Sequence, residues 1–169
     1  NGVILTDYAS HPMWVYPHVG RYFVACQEMV DELWTYGVDR EKIKVTGIPV
    51  RPEFGITLSP AELRAEKGLP PDRPVILVMS GGNAIGPLME VLEVLNRVRE
   101  DFTAVVITGK NEKTRRELAE ARENFHFTLH LPGYVDDMYK WMRLADFLIS
   151  KAGGLTVSEA LAVGLPMLV

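Results

Sequence analysis

The densest set of chemistry-bearing residues is Ser150-Lys151-Ala152-Gly153-Gly154-Leu155-Thr156-Val157-Ser158-Glu159-Ala160. Two glycines and a threonine fall where a helix should begin, with a lysine beside them. A helix start offers free N–H groups and the positive end of the helix dipole, so this pattern suits a phosphate or diphosphate, with the Thr156 hydroxyl as a further donor. Glu159 lies three residues on, one turn deeper, where its carboxylate can accept both hydroxyls of a ribose. A plainer reading fits the same residues: Thr156-x-x-Glu159 is also the spacing of a capping box, and Glu is welcome in any first turn. The residues alone leave the two readings even.

Three further loops follow apolar runs of strand type. Ser80-Gly81-Gly82-Asn83 carries two glycines that let backbone N–H groups approach an oxyanion closely, although Gly-Gly in such a turn is common and weak evidence alone. Gly109-Lys110-Asn111 reads as a tight turn with a solvated lysine. In Pro132-Gly133-Tyr134-Val135-Asp136-Asp137-Met138, Tyr134 can stack on a base while the main chain of Val135 bonds its edge. The loop by itself favours a plainer role, with Tyr134 covering the sheet edge and Asp136 capping the next helix. Neither Gly-x-Gly-x-x-Gly nor Gly-x-x-x-x-Gly-Lys-Ser/Thr occurs, which removes the main support for dehydrogenase and kinase readings. No Asp-x-Asp and no metal-ligand spacing is present, so neither a metal nor a cofactor is expected.

The elements that must position these loops alternate along the chain. Short strands are expected at Val3–Thr6, Tyr22–Ala25 and Ile43–Gly47, with a helix after the second burying Met29, Val30, Leu33 and Trp34 and ending at Gly37. Pro49 and Pro52 predict an extended crossing over residues 48–54, which sets domains at 1–54 and 55–169. Ser59-Pro60-Ala61-Glu62 predicts a capped helix start, closed by Gly68. Strands then follow at Val75–Met79, Ala104–Thr108, Phe127–Leu131, Phe147–Ser150 and Met167. Helices are expected over Leu88–Arg99, Lys113–Arg122, Asp137–Leu144 and Thr156–Val163. Such alternation predicts an α/β fold with parallel sheets, whose ligands bind beyond the carboxyl ends of the strands.

Composition narrows the class. The 169 residues are 47% hydrophobic, enough for one α/β domain or pieces of two, and a net charge of -4 argues against nucleic acid as a partner. No apolar run reaches the length of a spanning helix, and no polybasic segment marks a membrane anchor. The one cysteine, Cys26, cannot form an internal disulfide and reads as a core thiol of a reducing compartment. Both ends fall inside apolar runs, so the chain reads as an excerpt of a longer protein.

Taken in order, Thr6-Asp7, His11-Pro12-x-Trp14, Gly47-Ile48-Pro49-Val50-Arg51-Pro52-x-Phe54, Gly81-Gly82, Gly109-Lys110-Asn111, Gly133-Tyr134-Val135, Lys151-Ala152-Gly153-Gly154-x-Thr156-x-x-Glu159-Ala160 and Gly164-Leu165-Pro166 form a set. That set resembles the monogalactosyldiacylglycerol synthases and bacterial processive diacylglycerol glucosyltransferases, cousins of the lipid II N-acetylglucosaminyltransferase. The resemblance runs nearly end to end. It implies a GT-B glycosyltransferase with two Rossmann-like domains, both incomplete here, the first on the acceptor side and the second binding the UDP-sugar.

By that resemblance Gly133, Tyr134 and Val135 hold the uracil, Glu159 the ribose, and Gly153, Gly154, Leu155 and Thr156 the diphosphate. Lys151 and Ala152 lead into that loop, Gly81 and Gly82 belong to the same donor site, and Arg51 reaches the diphosphate with a guanidinium fork. His11 and Trp14 fall on the acceptor side. The implied reaction is inverting transfer of glucose or galactose from UDP-glucose or UDP-galactose to diacylglycerol. The enzyme would work from the cytoplasm as a peripheral protein on the inner face of the cell membrane, attached through sequence upstream. The family's base is a histidine in a Gly-rich turn outside this chain, so no catalytic residue is assigned and the chain alone is expected to be inactive. Gly154-Leu155-Thr156 replaces the Gly-Pro-Gly-Thr pattern of the plant enzymes, which leaves the sugar open. The alternatives are a UDP-N-acetylglucosamine 2-epimerase, a lipid II N-acetylglucosaminyltransferase-like enzyme and a non-catalytic UDP-binding domain.

Overall fold

Two parallel sheets arise from the alternating apolar strands and one-sided helices. The computed structural model describes residues 1–80 and 87–169. The chain divides into two compact units, Asn1–Arg51 with Gly153–Glu159, and Pro52–Ala152 with Ala160–Val169.

In the first unit β1 (Gly2–Ile4), β2 (Arg21–Val24) and β3 (Ile43–Val45) form a parallel sheet in the order β1-β2-β3. Helix α1 (Glu28–Thr35) presents Met29, Val30 and Leu33 to a core with Leu5, Tyr22 and Val24. Each such fully buried side chain contributes about 1.5–3 kcal/mol before its ordering entropy is counted. Trp34, expected on the same face, is 56% exposed, with the Arg40 guanidinium over its ring at 4.9 Å. At about 100° per residue it stands at the edge of the narrow stripe that an eight-residue helix can bury. Gly37 at φ +90 ends α1, its N–H donating to Trp34 O at 2.9 Å while Val38 N–H reaches Leu33 O at 3.0 Å. Cys26 is only partly buried, and burial followed by a hydrogen bond with Glu28 raises its thiol pKa, the opposite of a reactive thiolate.

The second unit opens on a feature that the prolines did not predict. Pro52–Gly55 forms a 3-10 turn at the end of the expected extended crossing, with the Phe54 side chain buried. Proline is tolerated at the first position of a helical turn, where its missing N–H would have no partner. The Arg143 guanidinium donates to the carbonyls of Phe54 at 3.0 Å and Ile56 at 3.1 Å, which pins this turn. Helix α2 (Pro60–Glu66) follows, with Ser59 Oγ accepting from Glu62 N–H at 3.4 Å and Gly68 at φ +67 beyond its end.

The strands β4 (Val75–Met79), β5 (Thr103–Ile107), β6 (Thr128–His130), β7 (Phe147–Ser150) and β8 (Met167–Leu168) are all parallel, in the order β6-β5-β4-β7-β8. Between them run α3 (Leu88–Leu95), α4 (Glu112–Glu120), α5 (Met138–Leu144) and α6 (Gly154–Val163). The core joins Val78, Ala104 and Val106 to Leu88, Leu92 and Leu118. Helix α3 stops at Leu95 instead of Arg99: Arg97 and Val98 N–H bond only three residues back, to Val94 O and Leu95 O, while the Asn96 side chain donates to Asn124 O and accepts from His126 N–H. The strand order reverses between β4 and β7. In an open parallel sheet that switch point is where the carboxyl ends leave a crevice for a ligand.

Candidate functional site

Helix α6 begins two residues earlier than its sequence pattern suggests. Val157 N–H donates to Gly153 O at 2.9 Å, which closes the first turn on Gly153 and makes Gly154 the first helical residue. Thr156 is then the third residue of the helix, so it cannot be an N-cap, and Glu159 sits in the second turn. The capping-box reading of Thr156 and Glu159 falls on this geometry. Gly153, which precedes the helix, has no side chain with which to cap it.

The two glycines differ in what they do. Gly154 is buried, and a methyl group built on it would overlap the Thr6 carbonyl oxygen and come within 3.1 Å of Asp7 Cα. Only glycine fits there. Gly153 has open space around it, with nothing nearer to a built methyl than Thr156 Oγ1 at 3.9 Å. One turn past Gly154, Ser158 Oγ pairs with the Tyr8 hydroxyl at 2.9 Å. Sequence reading passed over both residues, since neither type nor spacing marks a pair 150 positions apart.

Glu159 is partly buried, and that burial raises its pKa while the charge of Arg51 acts in the opposite direction. Arg51 is exposed at the end of the first long segment of its unit. Such a carboxylate lacks full hydration and gains from neutral donors such as sugar hydroxyls. Lys151 and Ala152 are exposed, Leu155 is 50% exposed and Thr156 is partly buried.

In the second unit, Ser80 and Ser150 stand at the carboxyl ends of β4 and β7, on either side of the switch point. Both hydroxyls are buried without a hydrogen-bond partner among the described residues. Buried polar atoms of this kind normally find a ligand or water. Gly81 and Gly82 lie outside the described residues.

The loop between β6 and α5 departs from its plainer reading. Tyr134 is 63% exposed, with the Lys110 ammonium over its ring, and the residue before α5 is Asp137, not Asp136. The Asp137 carboxylate is not used as a cap. It accepts from Lys67 Nζ at 2.6 Å and from Trp141 Nε1 at 3.0 Å. Burial opposes its ionisation, but the hydrogen bond and charge of Lys67 outweigh it and hold the carboxyl below its usual range. Burial, with the charge of Arg122, lowers the pKa of the half-buried His130, whose ring lies 5.7 Å from that of Trp141. Gly133 is buried at φ +79 and rests on α4, where a methyl group would meet Arg115 Cδ at 3.4 Å. Val135 is partly buried beside it.

His11 and Trp14 have local duties in the first unit. His11 precedes a 3-10 turn at Pro12–Trp14, its Nδ1 accepting from Met13 N–H at 3.2 Å, while Trp14 packs on the core. Trp14 also lines a cleft of about 340 Å³ with Leu5, Thr6, Asp7 and Tyr16. Among the described residues no His, Cys, Asp and Glu side chains gather into a metal-binding group, and no helix is long and apolar enough to cross a membrane.

Comparison with known proteins gives a consistent picture. Residues 1–50 match the monogalactosyldiacylglycerol (MGDG) synthase family, and residues 75–169 match the glycosyltransferase family 28 C-terminal domain. A processive diacylglycerol beta-glucosyltransferase of Staphylococcus saprophyticus is 35% identical over 167 residues, 98% of this chain and 42% of the relative. The protein of the same name from Bacillus subtilis is 32% identical, again over 98% of this chain and 43% of its own length. The chain thus spans about two-fifths of these relatives.

Among solved structures, HepE of Anabaena in complex with UDP matches 98% of this chain and 52% of its own, at a TM-score of 0.65 and 16% identity. UDP-GlcNAc 2-epimerase from Neisseria meningitidis, bound to UDP-GlcNAc, matches 89% of this chain and 43% of its own, at a TM-score of 0.64 and 21% identity. These likenesses establish the GT-B type of α/β fold.

Proposed function

Because this chain belongs to the glycosyltransferase family 28 C-terminal-domain family over residues 75–169, with MGDG-synthase sequence before it, we propose that the protein transfers glucose or galactose from a UDP-sugar to diacylglycerol. The glycerol hydroxyl attacks the anomeric carbon with inversion, its proton passes to a base to which no residue of this chain is assigned, and the bond from that carbon to the diphosphate oxygen breaks. UDP is the leaving group.

In this reading the first-turn N–H groups of α6 and the Thr156 hydroxyl bind the diphosphate and stabilise the charge that grows on it as the bond breaks. Gly153, Gly154 and Leu155 supply that backbone, with Lys151 and Ala152 leading into it and Arg51 as a further cation. Glu159 accepts the ribose hydroxyls. Gly133, Tyr134 and Val135 receive the uracil, Tyr134 through its exposed ring. Gly81 and Gly82 remain assigned to the donor site on sequence alone, and His11 and Trp14 to the acceptor side. Residues 1–54 form the acceptor-side domain and crossing, and residues 55–169 the donor domain. We place the enzyme on the cytoplasmic face of the membrane as a peripheral protein, where its lipid acceptor lies, with no metal and no cofactor in the reaction.

The observation that carries this reading is the start of α6 at Gly154, which puts Glu159 in the second turn and removes its role as a cap. The names of the 31–35% identical relatives favour lipid glycosylation over epimerisation. Calorimetry in EDTA tests the donor site: UDP should bind and ADP should bind far more weakly, whereas no UDP binding, or equal affinity for ADP, would defeat it. Release of UDP that depends on added diacylglycerol separates the transferase from an epimerase.

A further inference from the structure

The Gly109-Lys110-Asn111 turn reads from sequence as a solvated lysine in a connection, and the structure gives it a partner. Lys110 Nζ lies over the Tyr134 ring, 5.5 Å from its centroid. The turn follows β5 and the tyrosine follows β6, strands paired in parallel from Thr103↔Thr128 to Val105↔His130, so both sit at the same edge of the sheet. We infer that Lys110 is a positioning residue for Tyr134: its ammonium occupies one face of the ring and holds the other open for a planar pyrimidine base of a nucleoside diphosphate. This rests on the reading of the Gly133–Val135 loop as the base-recognition element.

Three observations make the arrangement more than a chance surface contact. The turn is held from both ends, with Gly109 at φ +56, Asn111 N–H donating to Thr108 O at 3.1 Å, and Asn111 Oδ1 accepting from Thr114 N–H at 3.1 Å as the cap of α4. The tyrosine loop rests on the same helix, because Gly133 lies against Arg115, which is itself tied to Glu112 at 2.8 Å. Lysine and tyrosine are therefore both presented beside α4. Tyr134 has no core duty, being 63% exposed. An exposed aromatic ring is otherwise free to swing through several rotamers, and a cation held on one face selects the orientation in which the other face is offered.

The test measures affinity for UDP and for inorganic pyrophosphate by calorimetry on the full chain. The proteins are wild type, Lys110→Met, Lys110→Arg, Tyr134→Ala and the double variant Lys110→Met/Tyr134→Ala, with melting temperatures as a check on folding. Tyr134→Ala should weaken UDP about tenfold through loss of stacking, and Lys110→Met about threefold, the size of an exposed cation–π contact. Lys110→Arg should bind as wild type does, the double variant should be no weaker than Tyr134→Ala, and pyrophosphate affinity should not change. Wild-type affinity in Lys110→Met, fully multiplying effects in the double variant, or an equal loss of pyrophosphate binding would each overturn the positioning role alone. Unchanged UDP binding by Tyr134→Ala would overturn it together with the base-site reading.

Discussion

Helices α2 and α6 start from the same sequence pattern and use it in opposite ways. Ser59-x-x-Glu62 and Thr156-x-x-Glu159 both have capping-box spacing. At α2 the serine stands just outside the helix, in extended conformation, and its hydroxyl accepts from the backbone N–H of Glu62. At α6 the helix has already begun at Gly154, two residues before the threonine. The first start satisfies one of its own N–H groups with a side chain. The second begins behind a glycine that has none to offer, and its hydroxyl and carboxylate are left for other partners. A self-capped helix end needs no ligand, so the pattern acquires functional meaning only where the cap is missing.

Substitutions at the two starts should separate these uses. Gly154→Ala should have the largest effect on stability. Alanine ordinarily improves a helix, but here its methyl group must displace the Thr6 backbone, so we expect a loss of about 1–3 kcal/mol and a lower melting temperature. A rise in melting temperature would mean that α6 does not approach Thr6 so closely. Ser59→Ala should cost about 1 kcal/mol of stability through the lost cap and leave UDP affinity untouched; a change in affinity would give α2 a role that the comparison denies it.

The smallest effect is set by pH. The folded pKa of Asp137 is depressed, so its contribution is present above the ordinary carboxylate range and is lost as the pH falls through the lower folded value. Acid melting curves should therefore be shallower below about pH 4 in Asp137→Asn than in wild type. Identical acid profiles would mean that the Lys67 pair stabilises nothing.

Most of the fold was legible because its strands are continuous apolar runs. The expected bounds of β4 and β7 coincide with the observed ones, and the glycines at 37 and 68 do end helices. What was hidden depended on contacts distant in sequence. The early start of α6 is a backbone hydrogen bond to Gly153, which no side-chain pattern announces. Asp136 looked like the cap of α5, whereas the residue before that helix is Asp137, and only the arrival of Lys67, 70 positions away, shows that its carboxylate is spent on an ion pair. Tyr134 was legible as an aromatic residue at a strand end, but its exposure and the lysine over its ring were not.

The central claim is that Glu159 is a ribose ligand and not a cap, and Glu159→Gln tests it most directly through UDP affinity measured beside thermal melting. Exchanging a charged acceptor for an amide with one acceptor oxygen should cost about 1–3 kcal/mol of UDP binding. The melting temperature should hold or rise slightly near neutral pH. Burial raises the folded pKa of Glu159, so stability is lost as the pH rises from the ordinary carboxylate range to that higher value, and the amide carries no such cost. Unchanged UDP affinity, or a loss of affinity accompanied by a clear loss of stability, would contradict the account.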